Sequence, residues 1–163
     1  MPNPNLEQLI AAAALLRPML GDLVFVGGAI TSLLVTDEGA GLPRTTLDVD
    51  AIAEIGSYAE YTAFGERLRA LGFSEDANEG APLCRWVHSG TILDVMPLDE
   101  KILGFSNRWY RVAMEAATTH QLFRAALLAI HEPTRLIARC CRTPPLLLAP
   151  PARKRTRGLD YLL

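Results

Sequence analysis

Asp48 and Asp50, separated by Val49, lie in the stretch Leu47–Ile52, whose composition is that of a strand interrupted only by its acids. A strand's period of two throws both carboxylates onto one face, about 6 to 7 Å apart, and turns Val49 toward the core. Two carboxylates held that close on a rigid strand repel each other, and a divalent cation that prefers oxygen, usually Mg²⁺, offsets the repulsion. By itself an Asp-x-Asp doublet is a weak signal, because many surface strands and sugar-nucleotide glycosyltransferases carry one. Asp94 adds weight: it sits inside Thr91-Ile92-Leu93-Asp94-Val95-Met96, an otherwise apolar run where an acid is expensive unless paired or metal-bound. Its plainer partner is Arg85, across a hairpin. Gly27-Gly28 supplies a different element. A strand that turns through small residues into a helix start presents free backbone N–H groups and a positive dipole end to phosphates. Neither a Rossmann nor a P-loop signature accompanies these glycines, which alone mark only a tight turn.

The surrounding pattern predicts the elements that position these residues. Asn3 is a candidate N-cap with Pro4 at the first helical position, and Leu6, Leu9, Ile10, Ala13 and Leu16 form an apolar helical stripe that Pro18 and Gly21 end. Leu23–Val26 reads as a buried strand running into the two glycines, Ala29–Leu34 as a short helix, and Thr36–Pro43 as a loop. Ser57 and Glu60 form a capping box before a helix that carries Tyr61, Phe64, Leu68 and Leu71 and ends at Gly72. Cys84–His88 and Thr91–Met96 flank the turn signal Ser89-Gly90. A two-residue turn there sets position 88 opposite 91, so Arg85 faces Asp94 on one side and Trp86 and Leu93 share the other. Helices alternating with short strands and a hairpin predict an α/β domain with a mixed sheet.

With 163 residues, half of them hydrophobic, and a net charge of −2, the chain has room for one packed domain and is neither disordered nor a cationic coat protein. The charge is uneven. Residues 121–163 hold eight basic side chains against Glu132 and Asp160, together with five of the eleven prolines. The expected organisation is therefore a core over residues 1–130 and a Pro- and Arg-rich tail over 131–163, irregular across 133–157. A basic segment of this kind either holds phosphates or nucleic acid or is a solvated terminus. No apolar run reaches the ~18 residues that span a bilayer and no signal peptide opens the chain, so a cytoplasmic protein without membrane contact is expected. Cys84, Cys140 and Cys141 are expected to be reduced thiols. His88 at the hairpin turn, His120 at a polar helix start and His131 share no ligand spacing and are expected to be structural. Phe105-Ser106-Asn107-Arg108-Trp109-Tyr110 is aromatic and basic, suited to stacking on a base or to core packing.

Taken in order, Val26-Gly27-Gly28, Asp48-Val49-Asp50 and Asp94 in a later strand resemble the nucleotidyltransferase superfamily with the polymerase-β-like fold. The stretches Phe25-Val26-Gly27-Gly28-Ala29, Arg44-Thr45-Thr46-Leu47-Asp48-Val49-Asp50, Glu79–Trp86 and Asp94-Val95-Met96-Pro97 are similar to bacterial nucleotidyltransferases of the abortive-infection (AbiEii/AbiGii) toxin type. The likeness covers about residues 20–120, fades near Gln121 and returns at Arg157-Gly158-Leu159-Asp160-Tyr161.

The resemblance implies a polymerase-β-like α/β fold and transfer of a nucleoside monophosphate from an NTP to an acceptor hydroxyl. It assigns Gly27 and Gly28 to the phosphates, Asp48 and Asp50 to two Mg²⁺ ions, and Asp94 to one metal and the attacking hydroxyl. Arg44 and Arg85 are candidate triphosphate clamps, since a guanidinium matches phosphate oxygens in pairs; the plainer roles are a solvated loop residue and a counter-ion to Asp94. The resemblance further implies an RNA acceptor such as tRNA and a separately encoded antitoxin protein as partner. Two other readings stay open: a transferase acting on a small molecule such as an aminoglycoside, and a non-catalytic interaction module.

Overall fold

A computed structural model describes residues 3–35, 43–122 and 136–141. Helix α1 (Pro4–Leu15) starts as its sequence dictates: the Asn3 side chain accepts a hydrogen bond from the Leu6 N–H, and Pro4 occupies the first turn. Pro18 does not stop the chain from coiling. Arg17–Asp22 forms a 3₁₀ segment, because a proline near the start of a helical turn gives up an N–H that has no partner there. Strand β1 (Leu23–Val26) is buried throughout and leads into Gly27. The helix expected over 29–34 is split between a 3₁₀ turn, Gly28–Ile30, and one turn of α-helix, α2 (Thr31–Leu34). Of the expected loop 36–43, only Pro43 lies within the described residues.

Strand β2 (Val49–Ala53) begins just after Asp48, and helix α3 (Tyr58–Ala70) follows it. The Ser57 hydroxyl caps α3 by accepting from the Glu60 N–H, while the Glu60 carboxylate reaches past Ser57 to accept from the Gly56 N–H at 2.7 Å. After the two-residue strand β3 (Ser74–Glu75) comes the hairpin of β4 (Arg85–His88) and β5 (Thr91–Pro97). Its register is the expected one: His88 faces Thr91, Trp86 faces Leu93 and Arg85 faces Asp94. Helices α4 (Glu100–Leu103) and α5 (Trp109–Glu115) precede strands β6 (Ala117–Leu122) and β7 (Leu136–Cys141).

The strands form one seven-stranded mixed sheet in the order β3-β4-β5-β2-β1-β7-β6, flanked by helices. β2 runs antiparallel to β1 and parallel to β5, and β7 runs parallel to β1. On one face, Phe25, Ala51 and Val95 pack with Leu9 and Ala13 of α1, with Leu16 just after it, and with Phe64 and Leu68 of α3. On the other, Val24, Val26, Ile52 and Met96 pack with Tyr110 and Ala113 of α5. Burying a large aliphatic or aromatic side chain contributes about 1.5 to 3 kcal/mol, so these two layers carry the sheet.

Two expectations are corrected. Residues 136–141, placed in an irregular stretch, form an interior strand between β1 and β6. Prolines at 133 and 144 bracket this segment but leave its six residues free to donate to the ladder, and Cys140 and Cys141 are fully buried in it. His120, assigned to a helix start, lies in β6 opposite Ala138. His131 and the remainder of the tail, 142–163, lie outside the described residues.

Candidate functional site

Strand register places the acids. Arg85 faces Asp94 on β4 and β5, Asp94 faces Asp50 on β5 and β2, and Asp50 faces Val26 on β2 and β1. Directly paired residues share a sheet face, so Arg85, Asp94, Asp50 and Val26 form one row across four strands, on the Met96 and Tyr110 side. Asp48, two residues before Asp50, joins the row through Arg85. Asp50 and Asp94 are 6% and 3% exposed, which puts two carboxylates side by side in a nearly dry layer.

Arg85 bonds Asp94 and Asp48. Its Nε donates to Asp94 Oδ1 at 2.8 Å, and its Nη2 donates to Asp94 Oδ2 and Asp48 Oδ2, each at 2.7 Å. Hydrogen bonding to Asp94, reinforced by the charges of Asp94 and Asp48 and opposed by partial burial, raises its pKa, so the guanidinium stays charged. The pairing of Asp94 with Arg85 is thus real, and it extends to Asp48, which the hairpin pattern alone did not show. Burial, followed by the negative charge of Asp94, pushes the neighbouring Cys84 thiol up to about 12. Burial, followed by the charge of Asp50, also raises the Tyr110 phenol.

Gly27 closes the other end of the row. Its φ of 73° and ψ of −155° lie in a region open essentially to glycine alone, and a Cβ there would overlap Asp50 Oδ2. The bend and the acid doublet are therefore in direct contact. Gly28 abuts the side chain of Thr46, whose hydroxyl donates to Asp48 Oδ1 at 2.7 Å. Gly27 thus lies against a carboxylate, and Gly28 against the threonine that bonds one. Arg44 is placed differently: it is exposed on the segment before Asp48 and contributes its backbone carbonyl to the bonding described next.

Asn5 is the residue that sequence reasoning missed. At 1% exposure on α1, it donates from Nδ2 to the Arg44 carbonyl at 2.9 Å and to the Gly28 carbonyl at 3.4 Å, and accepts from the Thr46 N–H at 3.0 Å. One amide thereby ties the helix to both the bend and the segment that aims Asp48. The available signal was position: Asn5 lies four residues before Leu9 on the apolar stripe, where an unpartnered amide is not tolerated.

The aromatic segment lies on the face that carries the row: Tyr110 is buried there, its hydroxyl 2.9 Å from Met96 Sδ, and Phe105 and Trp109 are partly buried beside it. Arg108 stacks on Trp109 at 4.9 Å. A cleft of about 520 Å³, lined by Glu54, Ile55, Asp99, Arg108 and Arg111 among others, opens at the far ends of β2 and β5 and does not include the three aspartates. Among the described residues, no group of three or more His, Cys, Asp or Glu side chains is arranged to hold a metal ion, and no helix is long and apolar enough to cross a membrane. The three aspartates are hard oxygen donors of the kind Mg²⁺ prefers, but a guanidinium stands between two of them.

Comparison of the sequence with protein-family models and with curated proteins finds no match.

Proposed function

We propose that this protein is a Mg²⁺-dependent nucleotidyltransferase of the polymerase-β-like kind, moving a nucleoside monophosphate from an NTP to an acceptor hydroxyl. The observation that carries the reading is the contact between Gly27 and Asp50 in the row that also holds Asp94. A glycine turn meets Asp50, and Asp94 stands beside it on the adjacent parallel strand, with Asp48 just before β2.

In this reading the backbone at Gly27 and Gly28 takes the triphosphate, and Arg44, exposed beside Asp48, meets its outer oxygens. The acceptor oxygen attacks the α-phosphorus, a new P–O bond forms, the α–β anhydride bond breaks, and pyrophosphate leaves. Asp94 receives the hydroxyl proton. Asp48, Asp50 and Asp94 would hold Mg²⁺, which when bound supplies positive charge for the nucleophile and the leaving group. The acceptor is an RNA, with tRNA the first candidate and an aminoglycoside-type small molecule the rival, and a cognate antitoxin protein is the expected partner; these three points rest on the sequence resemblance.

Purified protein incubated with Mg²⁺, α-labelled NTPs and either tRNA or aminoglycosides tests the reading. Label should move to one acceptor class with wild type and fall by a hundredfold or more with Asp94→Asn. Equal labelling by the two proteins would remove the site. The ion pairs of Arg85 with Asp94 and Asp48 favour a second reading, a non-catalytic nucleotide-binding module in which two of the acids are already ion-paired. Calorimetry that detects Mg²⁺–NTP binding without any transfer product would select it.

A further inference from the structure

Resting on the nucleotidyltransferase reading, we infer that Arg85 is a built-in counter-cation, occupying the place between Asp48 and Asp94 that a divalent ion needs and leaving it for the nucleotide's phosphates when the site is loaded. Three aspartates of one row cannot be packed together without positive charge, and the protein must fold before substrate arrives. Arg85 supplies such charge to two of them, Asp94 and Asp48. It bonds both oxygens of Asp94 and one of Asp48, two residues that no backbone ladder joins to each other.

Those bonds also obstruct loading. A divalent ion held by Asp48 and Asp94 would have to share their oxygens with a guanidinium nitrogen that lies 2.7 Å from each. Like charges at such range in a half-dry site repel strongly. The Arg85 side chain is 12% exposed, at the end of the row that runs from Val26 through Asp50 and Asp94. A guanidinium released from two carboxylates is matched in geometry by two phosphate oxygens. The exchange makes a free cation a poor ligand and a cation–triphosphate pair a good one, because only the pair offers the displaced arginine a new anion.

Two measurements on the full chain test this. Mg²⁺ titrated without nucleotide is expected to bind Arg85→Gln at least tenfold more tightly than wild type by calorimetry, with Arg85→Lys in between. In wild type, the ¹⁵N NMR signal of the Arg85 Nε–H, held by Asp94 Oδ1, should shift and broaden as Mg²⁺ and ATP bind; this measurement decides alone if Arg85→Gln does not fold. An unmoved Nε–H signal at Mg²⁺ saturation, with equal or weaker affinity in Arg85→Gln, overturns the inference and leaves the nucleotidyltransferase reading standing. Absence of Mg²⁺ binding by both proteins, with and without ATP, overturns both.

Discussion

The Asp50 carboxylate fills the space that a side chain at Gly27 would need, so the turn after β1 and the acid on β2 are built as one unit. The backbone bends through a conformation reserved for glycine because a carboxylate is packed against it. Any change at one of the two residues is therefore felt at the other.

Gly27→Ala should lower stability by about 2 to 4 kcal/mol, combining a strained φ of 73° with overlap on Asp50. Gly28→Ala, whose added methyl would meet Thr46 Cβ at 3.2 Å without a positive φ, should cost less than about 1 kcal/mol. Urea unfolding of the two variants compares them directly, and equal midpoints would contradict the proposed contact.

Asn5→Ala should cost about 2 to 3 kcal/mol, since the Thr46 N–H and the Arg44 carbonyl lose their buried partner. The loss should be local as well as global. Amide hydrogen exchange at Thr46 is expected to accelerate more than exchange within β5, and uniform acceleration would show that Asn5 does not anchor the segment before Asp48.

Alkaline pH should destabilise the fold through two thiols. Burial, helped by the charge of Asp94 at Cys84 and of Cys141 at Cys140, pushes both up to about 12, against about 8.5 for an unfolded thiol. Between these values the unfolded chain loses protons that the native chain keeps, so the stabilisation is complete below about pH 8.5 and declines as pH rises toward 12. The slope is about 1 kcal/mol per pH unit for each thiol. Unfolding midpoints measured from pH 8 to 10 should fall for wild type, and more shallowly for Cys84→Ala and Cys140→Ala.

The hairpin turn leaves room for improvement. Ser89 and Gly90 both have positive φ, 48° and 80°, the pattern of a type I′ turn, which asparagine satisfies better than serine at the first position. Ser89→Asn should raise stability by about 0.5 kcal/mol, read as a higher thermal midpoint, whereas Gly90→Ala should lower it by about 1 kcal/mol.

Much of the site was legible because its parts are local. Ser89-Gly90 fixes a two-residue turn, and counting back from it pairs Arg85 with Asp94 without any knowledge of the rest of the chain. Likewise Asn3-Pro4 and Ser57 with Glu60 announce helix starts that depend on neighbours within one turn. The strand at 136–141 was not legible, because the flanking prolines dominate the local pattern and one of its two partners, β1, lies more than a hundred residues earlier. Asn5 was hidden for the same reason: a polar residue on an apolar stripe shows only that a partner exists, while the partners, Gly28, Arg44 and Thr46, come from other segments.

The sequence by itself singled out the acids and glycines and set the hairpin register and the face of Asp50 and Asp94, since alternation along a strand and the length of a turn are short-range properties of the backbone; it also put Asp48 on the strand, which begins only at Val49. Only the tertiary structure decided that β2 lies between β1 and β5, which sets Asp50 against both Gly27 and Asp94, and that one guanidinium spans Asp48 and Asp94. Strand order follows from how the two apolar faces of the whole sheet are covered by helices, and no window of local sequence contains that balance.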